Sequence, residues 1–171
     1  MIKDKRLYGI SIIINVCYLL ILTFAGDPLK ENYSMLSSSR GGYLAVMAMC
    51  ILMGINLYSI TRIHNRKYSI AAFLGPLIGA LFPYTANSGS LFSNLHEICA
   101  YISFSIVNIV CFLNIYRYRL KDLKRGRLYM NIFIFVFVAD AFLFMNSMGA
   151  VAYEQFILLG TILVISYLIY E

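Results

Sequence analysis

Four ionisable side chains stand inside otherwise apolar stretches of this chain: His96, Glu97, Asp140 and Glu154. A charge near the centre of a hydrocarbon layer costs ~2.5–3.5 kcal/mol on insertion scales, so it is seldom kept there without a partner or a use. An imidazole and three carboxylates suit proton transfer or the hydrogen bonding of a polar headgroup. A metal is a poorer fit, because catalytic zinc takes three protein ligands and an open position. His64, the other histidine, lies in a charged loop far from His96. Only His96 with Asp140, Glu154 or Cys99 would serve, so neither metal nor cofactor is expected. No HExxH, GxSxG, P-loop or CxxC pattern occurs.

Each of the four has a structural explanation beside the chemical one. Asn94-Leu95-His96-Glu97 has the spacing of a capping box, with Asn94 as N-cap and Glu97 at N3. Glu154 suits the first turn of a helix, where a carboxylate faces the positive dipole end. Asp140 has no such role; it sits between Ala139 and Ala141 in a phenylalanine-rich run and needs a partner. His96 shares a face with Ala100 and Ser103, a small-sided groove. Adjacent helical residues point ~100° apart, so His96 and Glu97 do not aim at one ligand.

The elements that must position these groups follow from composition. Of 171 residues, 61% are hydrophobic and 13% charged, with a mean hydropathy of +0.77. Soluble domains carry ~25% charged residues. The apolar residues come in blocks, and crossing a bilayer core takes ~20 of them per helix. Six blocks are predicted to span: Leu7–Ala25, Tyr43–Thr61, Ser69–Thr85, Asn94–Tyr116, Leu128–Ser147 and Val151–Tyr170. They use almost the whole length, which predicts an all-α, six-span, single-domain bundle over residues 1–171. Lys3, Lys5, Arg6 and Thr23-Phe24-Ala25 also fit a cleaved signal peptide, but the first block is expected to be retained.

Twelve Lys and Arg fall on one side of these blocks, in the N-terminus and in the loops around residues 62–67 and 117–127, against Lys30 and Arg40 on the other. The positive-inside rule puts both termini in the cytoplasm. The expected location is a plasma membrane, multi-pass and bacterial. The net charge of +6 is thereby a topology signal, and no nucleic-acid partner is expected. Counting depth at ~1.5 Å per residue places all four ionisable groups in the outer half of the membrane.

Packing signals accompany them. Ala71, Gly75, Gly79 and Pro83 recur every four residues, a small-residue stripe that lets two backbones approach closely or forms a homodimer face. Pro76 is expected to bend this helix and Pro83 to end it. Asn15, Asn56, Asn108 and Asn131 form a deeper polar layer suited to bonds between helices. Cys17, Cys50, Cys99 and Cys111 are scattered singly, as small buried hydrophobes.

Gly79-Ala80-Leu81-Phe82-Pro83-Tyr84, followed after a short outer loop by Leu95-His96-Glu97 and Ala100, resembles the DRAM-type (damage-regulated autophagy modulator) six-span proteins and a bacterial membrane family of similar layout. In both, a Phe-Pro pair ends helix 3 and a histidine opens helix 4. The resemblance covers about twenty residues and the span count. It implies a six-helix bundle acting on or near lipids, and it singles out Pro83 and His96.

Three functions fit. The first is a bundle with an outward-facing polar pocket, lined by His96, Asp140, Glu154 and Glu97, that binds a lipid headgroup or small amphiphile for transport, sensing or protection. The second is an intramembrane enzyme acting on lipid, with His96 as acid or base beside Asp140 or Glu154. The third is an accessory or immunity-type subunit working through helix contacts with a membrane protein partner.

Overall fold

Apolar runs with a side-chain acceptor at their start fold as helices, and two such starts are visible here. Asp4 caps the first helix by accepting from the backbone N–H groups of Arg6 (2.7 Å) and Leu7 (3.1 Å), and Ser39 caps the third through Gly42 N–H (3.0 Å). The computed structural model describes residues 2, 4–27, 33–82, 84, 91–147 and 152–170, with the backbone alone for 34, 143–147, 153 and 154. Among these residues all regular structure is helical: α1 (Lys5–Thr23), α2 (Tyr33–Leu36), α3 (Arg40–His64), α4 (Ser69–Gly79), α5 (Leu91–Arg119), α6 (Leu123–Ser147) and α7 (Ala152–Leu168), with a 3-10 turn over Arg66–Tyr68.

Three of these, α1, α3 and α5, are long and apolar enough to cross a membrane. At ~1.5 Å per residue they reach ~28, ~38 and ~44 Å, against a hydrocarbon core of ~30 Å. The remaining helices meet that test less well. The first turns of α6 carry Lys124, Arg125 and Arg127, and α7 has 17 residues.

The shortest of the long elements departs most from the sequence reading. A helix was expected over Ser69–Thr85, yet α4 stops at Gly79 after 11 residues. Pro76 donates no backbone hydrogen bond, and a proline at 83 has no N–H to return to the carbonyl of Gly79. A proline also disfavours helical geometry in the residue before it, here Phe82. Pro83 and the expected end at Thr85 lie outside the described residues. A second departure concerns the fifth helix. It begins at Leu91, so Asn94 is already inside it and is not an N-cap, and the capping-box account of Glu97 falls.

Neighbouring helices run antiparallel, as the contacts between them show. Tyr18 of α1 bonds Ala45 of α3 near one end, and Tyr8 bonds Asn56 near the other. Tyr43 of α3 pairs with Ala80 beyond α4, and Phe104 and Tyr118 of α5 meet Phe137 and Tyr129 of α6. Tyr8 of α1 stacks on Tyr170 after α7, centroids 4.3 Å apart.

One end of the bundle therefore collects every described basic loop. His64 Nε2 lies 2.8 Å from the Ile169 carbonyl, Tyr170 Oη donates to the Ile2 carbonyl, and His64 meets Tyr118 edge-on. Between the ends, Leu57, Ile60, Ile115, Ile162 and Leu163 are fully buried. Outward, α1 shows Leu7, Ile13 and Ile21, and α6 shows Phe135 and Phe142, all more than half exposed.

The asparagine layer is partly as expected. Asn15, Asn56 and Asn108 are buried, and Ser11 Oγ donates to Asn56 Oδ1 at 2.8 Å, joining α1 to α3. Asn131 is exposed instead. Asn114, which was not expected, is buried and donates to Thr61 Oγ1 at 2.9 Å, joining α5 to α3.

Candidate functional site

Because α4 ends at Gly79, the carbonyls that follow it have no helical donors, and inside a bundle each must find another partner. The chain supplies them from other helices. Tyr43 Oη of α3 donates to the Ala80 carbonyl at 3.0 Å. His96 Nδ1 of α5 lies 2.7 Å from the Phe82 carbonyl. The Tyr84 N–H, two residues on, donates to Ser37 Oγ at 3.1 Å. The unwound segment 80–84 is thus held from three sides, and the Tyr84 ring packs edge-on against His96, centroids 5.6 Å apart.

A carbonyl oxygen only accepts hydrogen bonds, so the proton on the His96 ring is assigned to Nδ1. His96 is 4% exposed, and its Nε2 has no hydrogen-bond partner among the described residues.

His96 lies on the wall of a cavity of about 130 Å³ enclosed by α2, α3, α5, α7 and the end of α4. This cavity is at the end of the bundle opposite the basic loops. Its polar wall residues are Tyr33, Ser37, Tyr43, His96, Ser103 and Gln155. The rest is mainly apolar, including Val46, Met49, Cys50, Met53, Phe104, Val107, Leu158 and Leu159. Tyr33 ties α2 to the wall: its backbone N–H donates to Gln155 Oε1 at 3.1 Å, and its hydroxyl meets that of Thr23 at 2.8 Å. Burial pushes the Tyr33 phenol up to about 12, with the Thr23 hydrogen bond pulling the other way.

The small residues explain how α4 comes so close. A Cβ on Gly75 would lie 2.5 Å from Ile106 Cγ2, and one on Gly79 would lie 2.8 Å from Ser103 Oγ. The stripe of α4 thus packs against α5 within the chain. Ala71 is exposed and outside this contact; the neighbouring Ala72 is fully buried.

Of the expected pocket residues, the structure brings His96 to the cavity, together with Ala100 and Ser103 from the same face of α5. Glu97 is exposed. Asp140 is buried on α6 but is not part of the wall. The Phe104–Phe137 pair sets its level near residue 101 of α5, about five residues or ~7 Å deeper than His96. The side chain of Glu154 lies outside the described residues. Its neighbour Gln155, which the sequence reading passed over, lines the cavity. So do Tyr33, Ser37 and Tyr43, whose only signal was their place in an outer loop or at a helix start.

Among the described residues no three of His, Cys, Asp and Glu come together as a metal site. The cysteines are all free; Cys50 and Cys111 are buried, Cys99 is half-buried and Cys17, against expectation, is exposed. No protein-family model matches the chain, and no curated protein or solved structure matches it either.

Proposed function

We propose that this chain is a six-span membrane protein, both termini in the cytoplasm, that binds a small amphiphile in the cavity beside His96. The observation that carries this reading is a cavity that joins six polar residues, His96 among them, to a mainly apolar lining. Ligand sites generally have this make-up: mostly apolar walls with a few convergent polar groups.

The membrane part of the reading draws on the apolar outer surface and on three helices of spanning length. A fourth crossing would combine α4, ~16 Å long, with the turn and chain that follow it. Non-helical backbone at such depth is tolerated where it is buried in protein or lines a cavity, and discontinuous helices mark binding sites in transporters. Helices α6 and α7 would complete the six, α7 with a small mismatch in length.

A cavity of about 130 Å³ is close to the ~150 Å³ known to take up a benzene-sized molecule. It suits the end of an amphiphile rather than a whole phospholipid. Catalysis by His96 paired with Asp140 is disfavoured because Asp140 is not in the wall. Native mass spectrometry of protein extracted from its own membrane tests the proposal. One small amphiphile per chain is expected, lost in Ala100→Phe, which fills the cavity from its α5 wall. A chain that carries no such ligand, or an Ala100→Phe chain that carries it equally, overturns the proposal.

A further inference from the structure

Two grooves run along the outer face of the bundle formed by α1, α6 and α7. One, of about 400 Å³, lies over α7 from Phe156 to Leu168, with Tyr129 and Ile132 of α6 as its far bank. The other, of about 340 Å³, lies between α1 and α7 and is bordered by Gly9, Ile13, Cys17 and Tyr167. They meet at Val16 and Val164. Gly160 opens the floor of the first, since a Cβ there would meet no packed neighbour within 4 Å. At ~1.5 Å per residue the grooves are ~18 and ~12 Å long. Half a hydrocarbon core, the depth of one acyl chain, is ~15 Å. Both grooves lead toward the end of the bundle where α1 starts and α7 stops, the end that gathers the basic loops.

Lys5 and Arg6 stand one turn before Gly9 on α1, on the stripe that continues through Ile13 and Val16. Both are exposed. Their acidic neighbour Asp4 is turned to the backbone N–H groups of Arg6 and Leu7. On the other bank Arg125, one turn before Tyr129, pairs with Asp122 at 3.6 Å. The balance at this end is strongly positive, twelve Lys and Arg against Asp4, Asp122 and Glu171. We propose that the two grooves hold the two acyl chains of one anionic phospholipid, with its phosphate on Lys5 and Arg6. This rests on the membrane part of the reading above and is independent of the cavity beside His96. A second copy of the chain suits this face less well, because copies inserted the same way bring the same cations to the same end. Apolar contact alone selects nothing, since lipid tails are as apolar as the grooves. The charge at the mouth supplies the preference.

The test is native mass spectrometry of the full chain in detergent, titrated with dioleoyl phosphatidylglycerol or dioleoyl phosphatidylcholine. One phosphatidylglycerol per chain is expected. It should bind about 25-fold tighter than phosphatidylcholine, because each of two cations near an anionic headgroup contributes about fivefold. Lys5→Gln with Arg6→Gln should abolish that preference. Arg66→Gln with Lys67→Gln, in a turn that lines neither groove, should keep it. Gly160→Leu fills the first groove without meeting the packed core. Its lipid-free melting temperature should be no lower than the parent's, while most of its bound phosphatidylglycerol is lost. Equal affinity for the two lipids, an equal loss of preference in both pairs of Gln variants, or full binding to Gly160→Leu overturns the proposal. So does a lipid-free dimer that Gly160→Leu dissociates, which assigns the face to a second copy. Ala100→Phe should leave the phospholipid in place, so this site and the amphiphile cavity stand or fall separately. A chain that leaves its membrane without detergent overturns the membrane reading itself.

Discussion

Replacing Gly79 by alanine sets a Cβ 2.8 Å from Ser103 Oγ and 2.9 Å from Ser103 Cβ. The second contact decides the outcome, because Ser103 Cβ is fixed to the α5 backbone and cannot rotate away as Oγ can. Carbon atoms pack at ~3.5–4.0 Å, so α4 and α5 must separate locally by ~0.6–1 Å. A gap of that size forfeits a quarter to a half of the dispersion energy at every contact it opens. Overpacking of this kind costs ~1–3 kcal/mol. Unfolding of the Gly79→Ala chain in detergent should show a loss in that range. Ser103→Gly removes the obstructing atoms, at a cost of up to ~1 kcal/mol for a glycine inside a helix. The double variant should therefore be more stable than Gly79→Ala alone, with the cycle giving a coupling of ~1–2 kcal/mol. Unchanged stability for Gly79→Ala, or strictly additive losses, would mean that the small-residue stripe does not set the distance between these helices.

Three further outcomes are expected. On a cysteine-free background, a cysteine at Ser38 should react with an impermeant thiol reagent from outside the cell and one at Lys124 only from inside; the reverse pattern refutes the orientation. Tyr43→Phe strips the Ala80 carbonyl of its donor and should cost ~1–3 kcal/mol of stability, and a melting curve like that of the parent would show that water serves that carbonyl equally well. Tyr33 has a folded pKa of about 12, above the unfolded 10.0. Its contribution is whole below pH 10 and is lost as pH rises towards 12, so Tyr33→Phe should flatten the alkaline decline in melting temperature; parallel curves refute the assignment.

How far the sequence could be read depended on which signal each residue carries. The apolar blocks located α1, α3 and α5, because length and hydropathy are properties of a segment and need no neighbour. The end of α4 at Gly79 was missed by six residues, although Pro83 was seen as a terminator. A proline acts on the carbonyl four residues earlier and on the residue before it, so the helix stops well short of the proline itself. His96 and Asp140 were expected at one pocket, but helix rotation and register were not legible, and Asp140 lies ~7 Å deeper and outside the cavity wall. Asn131 and Asn114 show the same limit. Both have the residue type for a polar layer, and only packing decides that 131 faces out and 114 in. Cys17 failed for a related reason, since an apolar surface gives a small hydrophobe no cause to turn inward.

The broken helix, the histidine and the cavity are linked by one physical requirement. Without intrahelical donors after Gly79, the Ala80 and Phe82 carbonyls need hydrogen-bond donors from other helices, and an apolar interior offers few. Tyr43 and His96 meet that need, and each must keep its side chain turned toward segment 80–84 to do so. Side chains so fixed cannot also close the space between α3, α5 and α7, where Gly79, Ala100 and Ser103 are too small to fill it. The cavity is therefore left beside an imidazole and a phenol that are both committed to the carbonyls next door. A purely structural donor would have been met by a serine or a tyrosine, each with one polar atom. Histidine meets the same need here with Nδ1, and its ring also packs edge-on against Tyr84, so one side chain fixes two residues of the segment.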